Sequence, residues 1–227
     1  MIPAQKIRWL QFGFHQYNTF LLKHRFHRIL VLKHSLERPP SPALFIMNHS
    51  SWWDGIISIH LNRYVFDNSG CFMMHESGMK RFPFFRYLGA FTINRSNPKD
   101  IIHSLHYACE RLQQKESIWL FPQGDEKHLE IRPLSFLPGF VYIIENNLDI
   151  PIVPVSYYYS FGHHQKPDLY IAFGEPLFYN QLAGTTRRDK TKYTEELFTN
   201  QLNSLKTLVV TEQLNAFVPL KEWRWNT

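Results

Sequence analysis

The sequence predicts a layered α/β domain with a central, mostly parallel or mixed sheet and an amphipathic helical element at its N-terminus. Three observations predict it. Short apolar runs such as Ala43-Leu44-Phe45-Ile46-Met47 are long enough for buried strands and too short for ordinary helices. These runs alternate with stretches of helical period, the pattern of strands joined by crossover helices. The length of 227 residues suits one α/β domain with a sizeable core.

In chain order, residues 1–38 come first and read as a basic, aromatic element ahead of a domain spanning 39–227. They hold seven of the 25 Lys/Arg (Lys6, Arg8, Lys23, Arg25, Arg28, Lys33, Arg38) and one of the 19 Asp/Glu, Glu37. The whole formal charge of +6 therefore sits in this segment. Between the bases lie bulky apolar residues, among them Trp9, Phe12, Phe14, Phe20 and Leu30. That combination suits a helix lying on an anionic membrane surface, and equally a basic helix pair packed on the domain. No apolar run approaches the ~20 residues of a membrane span, so peripheral attachment at the cytoplasmic face is expected. Deleting the segment should then release the protein from anionic vesicles. A nucleic-acid partner is not expected, because no recognition motif accompanies the charge.

The domain follows. After the run 43–47, residues 52–66 read as a helix carrying Ile56, Ile57, Ile59 and Leu61. Cys71-Phe72-Met73-Met74 reads as a second strand, residues 82–88 as an aromatic loop between Pro83 and Gly89, and Phe91-Thr92-Ile93 as a third strand. Asn97-Pro98 starts a helix, with Asn as cap and Pro at the first helical position. Its stripe is Ile101, Ile102, Leu105, Cys109 and Leu112. Residues 117–121 form a strand ending in a Pro122-Gln123-Gly124 turn. A helix over 139–146, strands over 152–157 and 169–173, a polar loop over 184–190 and a C-terminal helix complete the chain.

His49, at the carboxyl end of the first apolar run, stands where open α/β sheets put their sites. Its imidazole can take a proton near neutral pH, and Asp54, five positions on, can hold the ring in one tautomer. No protein nucleophile accompanies the pair, so a substrate hydroxyl would be the nucleophile. Ser51-x-x-Asp54 also fits a capping box that only starts the next helix. Cys71 and Cys109 supply neither a disulfide framework nor metal-ligand spacing, and a reducing compartment follows. The twelve histidines lack clustered Cys or carboxylate partners, so no metal site is expected.

Four blocks in order, His49 to Asp54, Gly89 to Arg95, Phe121-Pro122-Gln123-Gly124 and Ile150 to Val155, resemble the glycerolipid acyltransferases of the lysophosphatidate acyltransferase type. The resemblance covers about residues 40–175. It implies a glycerol-3-phosphate-acyltransferase-like fold and acyl transfer from acyl-CoA or acyl carrier protein, a co-substrate rather than a cofactor, to a lipid hydroxyl. His49 and Asp54 would be catalytic, and Arg95, Phe121, Pro122, Gln123 and Gly124 would bind substrate. Backbone N–H groups of the Gly124 turn would face the reacting carbonyl, although Pro-x-Gly is also a common plain turn.

The third block departs from the family, which has Glu where Gln123 stands and Arg where Glu126 stands. A Lys-containing step is replaced by Leu137-Pro138. Arg132 would have to reach back to restore a positive charge. The acceptor is expected to be a lysophospholipid, a glycolipid or a terpenoid glycoside, and the departures favour one without the phosphate monoester of lysophosphatidate, such as a glycolipid, a terpenoid glycoside or an amino-acid lipid. A membrane-bound thioester or ester hydrolase, and a non-catalytic lipid-binding protein of the same fold, are the alternatives.

Overall fold

A computed structural model describes residues 1–33, 35, 40–64 and 70–220. The first half contains α1 (Arg8–Arg25), β1 (Arg28–Leu32), β2 (Leu44–Met47), α2 (Trp53–Tyr64), β3 (Cys71–His75), α3 (Glu76–Arg81), α4 (Phe85–Leu88) and β4 (Ala90–Ile93). The second contains α5 (Pro98–Gln113), β5 (Ile118–Leu120), α6 (Gly139–Glu145), β6 (Ile152–Ser160), β7 (Asp168–Phe173), α7 (Arg187–Val210) and β8 (Phe217–Pro219).

The strands form one mixed sheet in the order β4-β3-β5-β2-β6-β7-β1-β8. The five from β4 to β6 run parallel, β7 turns antiparallel to β6, β1 lies parallel to β7, and β8 closes the edge antiparallel to β1. Both faces are covered. Leu44 and Ile46 point into a core with α5, α6 and α7, while Phe45 and Met47 point into a core with α1 and α2. A strand buried on both faces cannot alternate apolar with polar, which is why β2 reads as an unbroken apolar run. Because β4, β3, β5 and β2 are parallel, the segments leaving their carboxyl ends meet along one sheet edge.

Most expected elements are present. Asn97 caps α5 with its side-chain oxygen on the N–H groups of Lys99 and Asp100, and Pro98 opens the helix. The aromatic stretch 82–88 is not simply a loop: it carries α4, one turn long and too short for a period to show. The C-terminal helix starts earlier than expected, at Arg187 behind a Thr186–Asp189 capping box, so Lys190 lies inside it. The expected end of the helix over 52–66, Val65 and Phe66, lies outside the described residues, as do Glu37 and Arg38.

The N-terminal 38 residues are not one element. Only α1 keeps the amphipathic character, whereas β1 enters the sheet between β7 and β8, with Leu30 and Val31 buried. Two of the bases are tied to acids of the domain: Arg28 pairs with the buried Asp168 and Lys6 with Glu116. Ile2 exchanges hydrogen bonds with Thr92 of β4, donating to its hydroxyl at 2.7 Å and accepting its N–H at 3.0 Å. Removing residues 1–38 would therefore delete a strand of the domain, not an appendage.

Residues 121–138, between β5 and α6, have no regular structure and are tied down by α7. Glu195 accepts the N–H groups of Ser135 and Phe136, and Lys206 pairs with Glu130. This segment forms one wall of the site.

Candidate active site

His49 leaves the end of β2 and its ring is held on two sides. Its Nδ1 lies 3.0 Å from Asp54 Oδ2, and its face stacks on Phe121 with centroids 4.1 Å apart. Its backbone is also clamped: its N–H donates to Gln123 Oε1 at 2.6 Å and its carbonyl accepts from the Lys127 N–H at 2.9 Å. The loop after β5 therefore fixes both the main chain and the ring of His49.

Asp54 is fully buried in the first turn of α2. Four donors converge on its carboxylate. Oδ2 accepts His49 Nδ1–H and the N–H groups of Ser50 and Ser51, at 2.7 and 2.8 Å for the latter two. Oδ1 accepts the Tyr159 hydroxyl at 2.5 Å. A carboxylate that accepts Nδ1–H leaves the lone pair of the ring on Nε2, the nitrogen free to take a proton. Burial, and then the Asp54 charge beside it, hold the Tyr159 phenol well above its usual range, so Tyr159 stays a donor. Asp54 serves both readings of its sequence pattern. It starts α2 by reaching back to the Ser51 N–H, and it orients His49.

The dyad opens onto a cavity of 340 Å³ whose inner wall is apolar, with Ile56, Ile59, Phe72, Met74 and Phe85 among its lining residues. Its mouth is polar and carries Arg95, His75 and Glu126 beside His49. Arg95 follows β4 and pairs with Asp125, whose carboxyl the guanidinium holds below the usual range. Gly124 sits at φ +76°, a conformation that favours glycine, and a Cβ there would approach Arg95 Nη1 to 2.6 Å. Glu126 Oε1 stands 3.8 Å from His49 Nε2.

A family description, Acyltransferase, matches residues 30–158, more than half of the chain. The chain belongs to the acyltransferase family. Its fold is that of a solved structure, the 1-acyl-sn-glycerophosphate (LPA) acyltransferase PlsC from Thermotoga maritima. The TM-score is 0.63 and the identity 17%, over 88% of this chain and 80% of that one. No curated protein sequence matches.

Of the residues singled out from sequence in this acyltransferase, His49, Arg95, Phe121, Pro122 and Gly124 line the cavity, and Asp54 stands directly behind His49. Gln123 does not face the cavity; it is buried and bonds the main chain of His49. Arg132 does not reach the site. Its guanidinium donates to Asn203 of α7 and to the carbonyls of Leu129 and Ile131, which anchor the loop. The N–H of Gly124 is spent within its own turn on the Phe121 carbonyl at 3.0 Å, so it is not a donor to substrate. No local pattern in the sequence marks Tyr159. It comes to Asp54 because β6 runs beyond the end of its neighbour β2, where Met47 pairs with Val155.

The Gln123 contact asks for an oxygen and not for a charge: the N–H of His49 needs an acceptor, which amide and carboxylate both offer. Gln123→Leu would leave a buried N–H unpaired at a cost of ~1–3 kcal/mol. Steady-state kinetics should show kcat/KM falling about ten- to hundredfold in Gln123→Leu and less than about tenfold in Gln123→Glu. Equal losses in both variants would mean that the side chain acts otherwise than through this oxygen.

Proposed function

We propose that the protein is an O-acyltransferase that moves a fatty acyl group from an acyl thioester, acyl-CoA or acyl carrier protein, to a lipid hydroxyl. The observation that carries this reading is the His49–Asp54 pair, 3.0 Å apart, opening onto a cavity with an apolar wall. His49 Nε2 takes the proton of the acceptor hydroxyl as its oxygen bonds to the thioester carbon. The C–S bond then breaks, and the thiolate leaves with the proton. General-base help of this kind is worth roughly 10²–10⁴-fold in rate. The apolar wall holds the acyl chain.

The test is transfer of labelled palmitate from palmitoyl-CoA to lipid acceptors, with products resolved by mass spectrometry. Ester formation that depends on His49 supports the reading. Free palmitate alone, at the same rate with and without acceptor, overturns it in favour of a hydrolase.

The acceptor lacks a phosphate monoester. The solved Thermotoga maritima relative acts on a glycerophosphate. Here Asp125 already occupies Arg95, and Glu126 puts a second carboxylate beside the reacting nitrogen. Lysophosphatidate should therefore be a poor acceptor. Glu126→Arg should raise its kcat/KM by about tenfold or more, one charge-assisted hydrogen bond being worth ~1.5–3 kcal/mol. Rapid acylation of lysophosphatidate by the unaltered protein would refute this.

Attachment to an anionic membrane surface, at the cytoplasmic face, belongs to the same reading. On α1, Trp9, Phe12, Tyr17 and Phe20 are exposed along one side, Trp9 by 73%, opposite the buried Asn18 and Leu22. Arg8 and Lys23 lie beside or within that side and are exposed. No helix among the described residues is long and apolar enough to cross a membrane. Because β1 belongs to the sheet, deletion is the wrong test and substitution on α1 the right one. Joint replacement of Trp9, Phe12 and Phe20 by Ser should weaken binding to phosphatidylglycerol vesicles by about tenfold or more, measured by co-sedimentation. Salt should weaken binding of the unaltered protein only in part, since screening acts on the charges alone. Undiminished vesicle binding by the triple variant would sink the idea.

A further inference from the structure

The mouth of the cavity presents an exposed indole. Trp52, three residues after His49, lines the cavity and is 51% exposed. It is not adrift. Its ring meets Trp53 edge-on at 5.3 Å, and Trp53 meets Phe26 edge-on at 5.3 Å, so the open indole is braced from behind. The same cavity is lined by groups of both hydrogen-bonding senses: the Glu126 carboxylate and the Arg95 guanidinium, the latter paired with Asp125.

These features select among headgroups. A phosphate meets two carboxylates and an arginine that is already paired. An ammonium gains the carboxylates but faces the guanidinium. A plain fatty alcohol uses neither the indole nor the charged groups. A sugar uses all of them. Its C–H face rests on an aromatic ring, and its neighbouring hydroxyls each donate to a carboxylate or accept from an arginine. Glu126 Oε1 lies too far from His49 Nε2, at 3.8 Å, for a direct hydrogen bond. It lies at the right span to hold one hydroxyl of a vicinal pair while His49 addresses the other.

We infer that Trp52, Glu126 and the Arg95–Asp125 pair form a saccharide site, so that the acyl acceptor is a hydroxyl of a sugar carried on a lipid. This rests on the acyl-transfer reading above and gives its acceptor a chemical class. The sugar O–H loses its proton to His49 Nε2 while its oxygen forms a bond to the carbonyl carbon of an acyl thioester. The C–S bond breaks, the proton passes to the thiolate, and the products are a sugar ester and a free thiol. Trp52 and Glu126 set specificity; His49 does the proton transfer.

The test uses the full chain, palmitoyl-CoA as donor, and acceptors with one tail length in mixed detergent micelles: dodecyl β-glucoside, 1-dodecanol and lauroyl lysophosphatidate. The glucoside should be acylated with a kcat/KM about tenfold or more above the other two, as a site built to bond hydroxyls discriminates against analogues lacking them. Trp52→Ala and Glu126→Gln should each lower the ratio of glucoside to dodecanol kcat/KM by about fivefold or more. An equal fall for both acceptors, or a preference for lysophosphatidate that depends on His49, overturns the saccharide site and leaves acyl transfer standing. No His49-dependent ester with any acceptor overturns both.

Discussion

His49→Ala is expected to lower kcat/KM for acyl transfer by roughly 10²–10⁴-fold, the span of general-base catalysis. The protein should remain folded. The ring is only partly buried, and its removal leaves the Asp54 carboxylate with three of its four donors, the N–H groups of Ser50 and Ser51 and the Tyr159 hydroxyl. The stability lost is then that of one hydrogen bond and one ring stack, about 1–2 kcal/mol. In a chain of this size that shifts Tm by roughly 2–8 °C. A loss of activity with a cooperative melt therefore reports chemistry. Activity within about tenfold of the unaltered protein would remove His49 from the reaction, whatever the melting temperature.

The parts of the site legible in the sequence are those in which side chain and strand end coincide. β2, β5 and β6 are covered on both faces, so their apolar runs marked them, and His49, Phe121 and the Gly124 turn follow directly from their ends or the loops beyond. Arg95 was legible for the same reason, standing between β4 and the Asn97-capped α5. The misread parts depend on partners far away in the chain. Arg28–Leu32 continued the basic, apolar composition of α1, and only pairing with β7, about 140 residues on, makes it a strand. Tyr159 reaches an acid 105 positions earlier. Arg132, expected to supply a charge, is drawn instead to Asn203, 71 positions later. Long-range pairing of this kind leaves no periodic trace in a local window.

Charge and hydrogen-bonding capacity had to be separated at Gln123 and Asp125. In the sequence, Gln123 counted as a lost carboxylate, but its partner is the N–H of His49, which needs an oxygen rather than a charge. Asp125, which no sequence pattern marks, pairs with Arg95, a lining residue of the cavity.

Asp54→Asn separates the two duties of Asp54. Three donors meet Oδ2, two of them backbone N–H groups that cannot turn away. The amide oxygen must therefore take that position. Its NH₂ group then faces Tyr159, whose hydroxyl can accept as well as donate. The start of α2 survives, and so does the hydrogen bond that keeps the proton of His49 on Nδ1. What is lost is the negative charge beside the imidazolium that would form as the acceptor hydroxyl is deprotonated, worth on the order of 3–4 kcal/mol for charge centres about 4–5 Å apart at an effective dielectric of about 20. The expected result is a fall in kcat/KM of about 10²–10³-fold with Tm nearly unchanged. Asp54→Ala, by contrast, abandons the Ser50 and Ser51 N–H groups and the Tyr159 hydroxyl at once, each at ~1–3 kcal/mol if buried, and should melt well below the unaltered protein. Tyr159→Phe removes one donor only and should cost about tenfold or less. If Asp54→Asn keeps its activity within about tenfold, the carboxylate serves the helix start alone, and the charge of Asp54 has no part in the chemistry at His49.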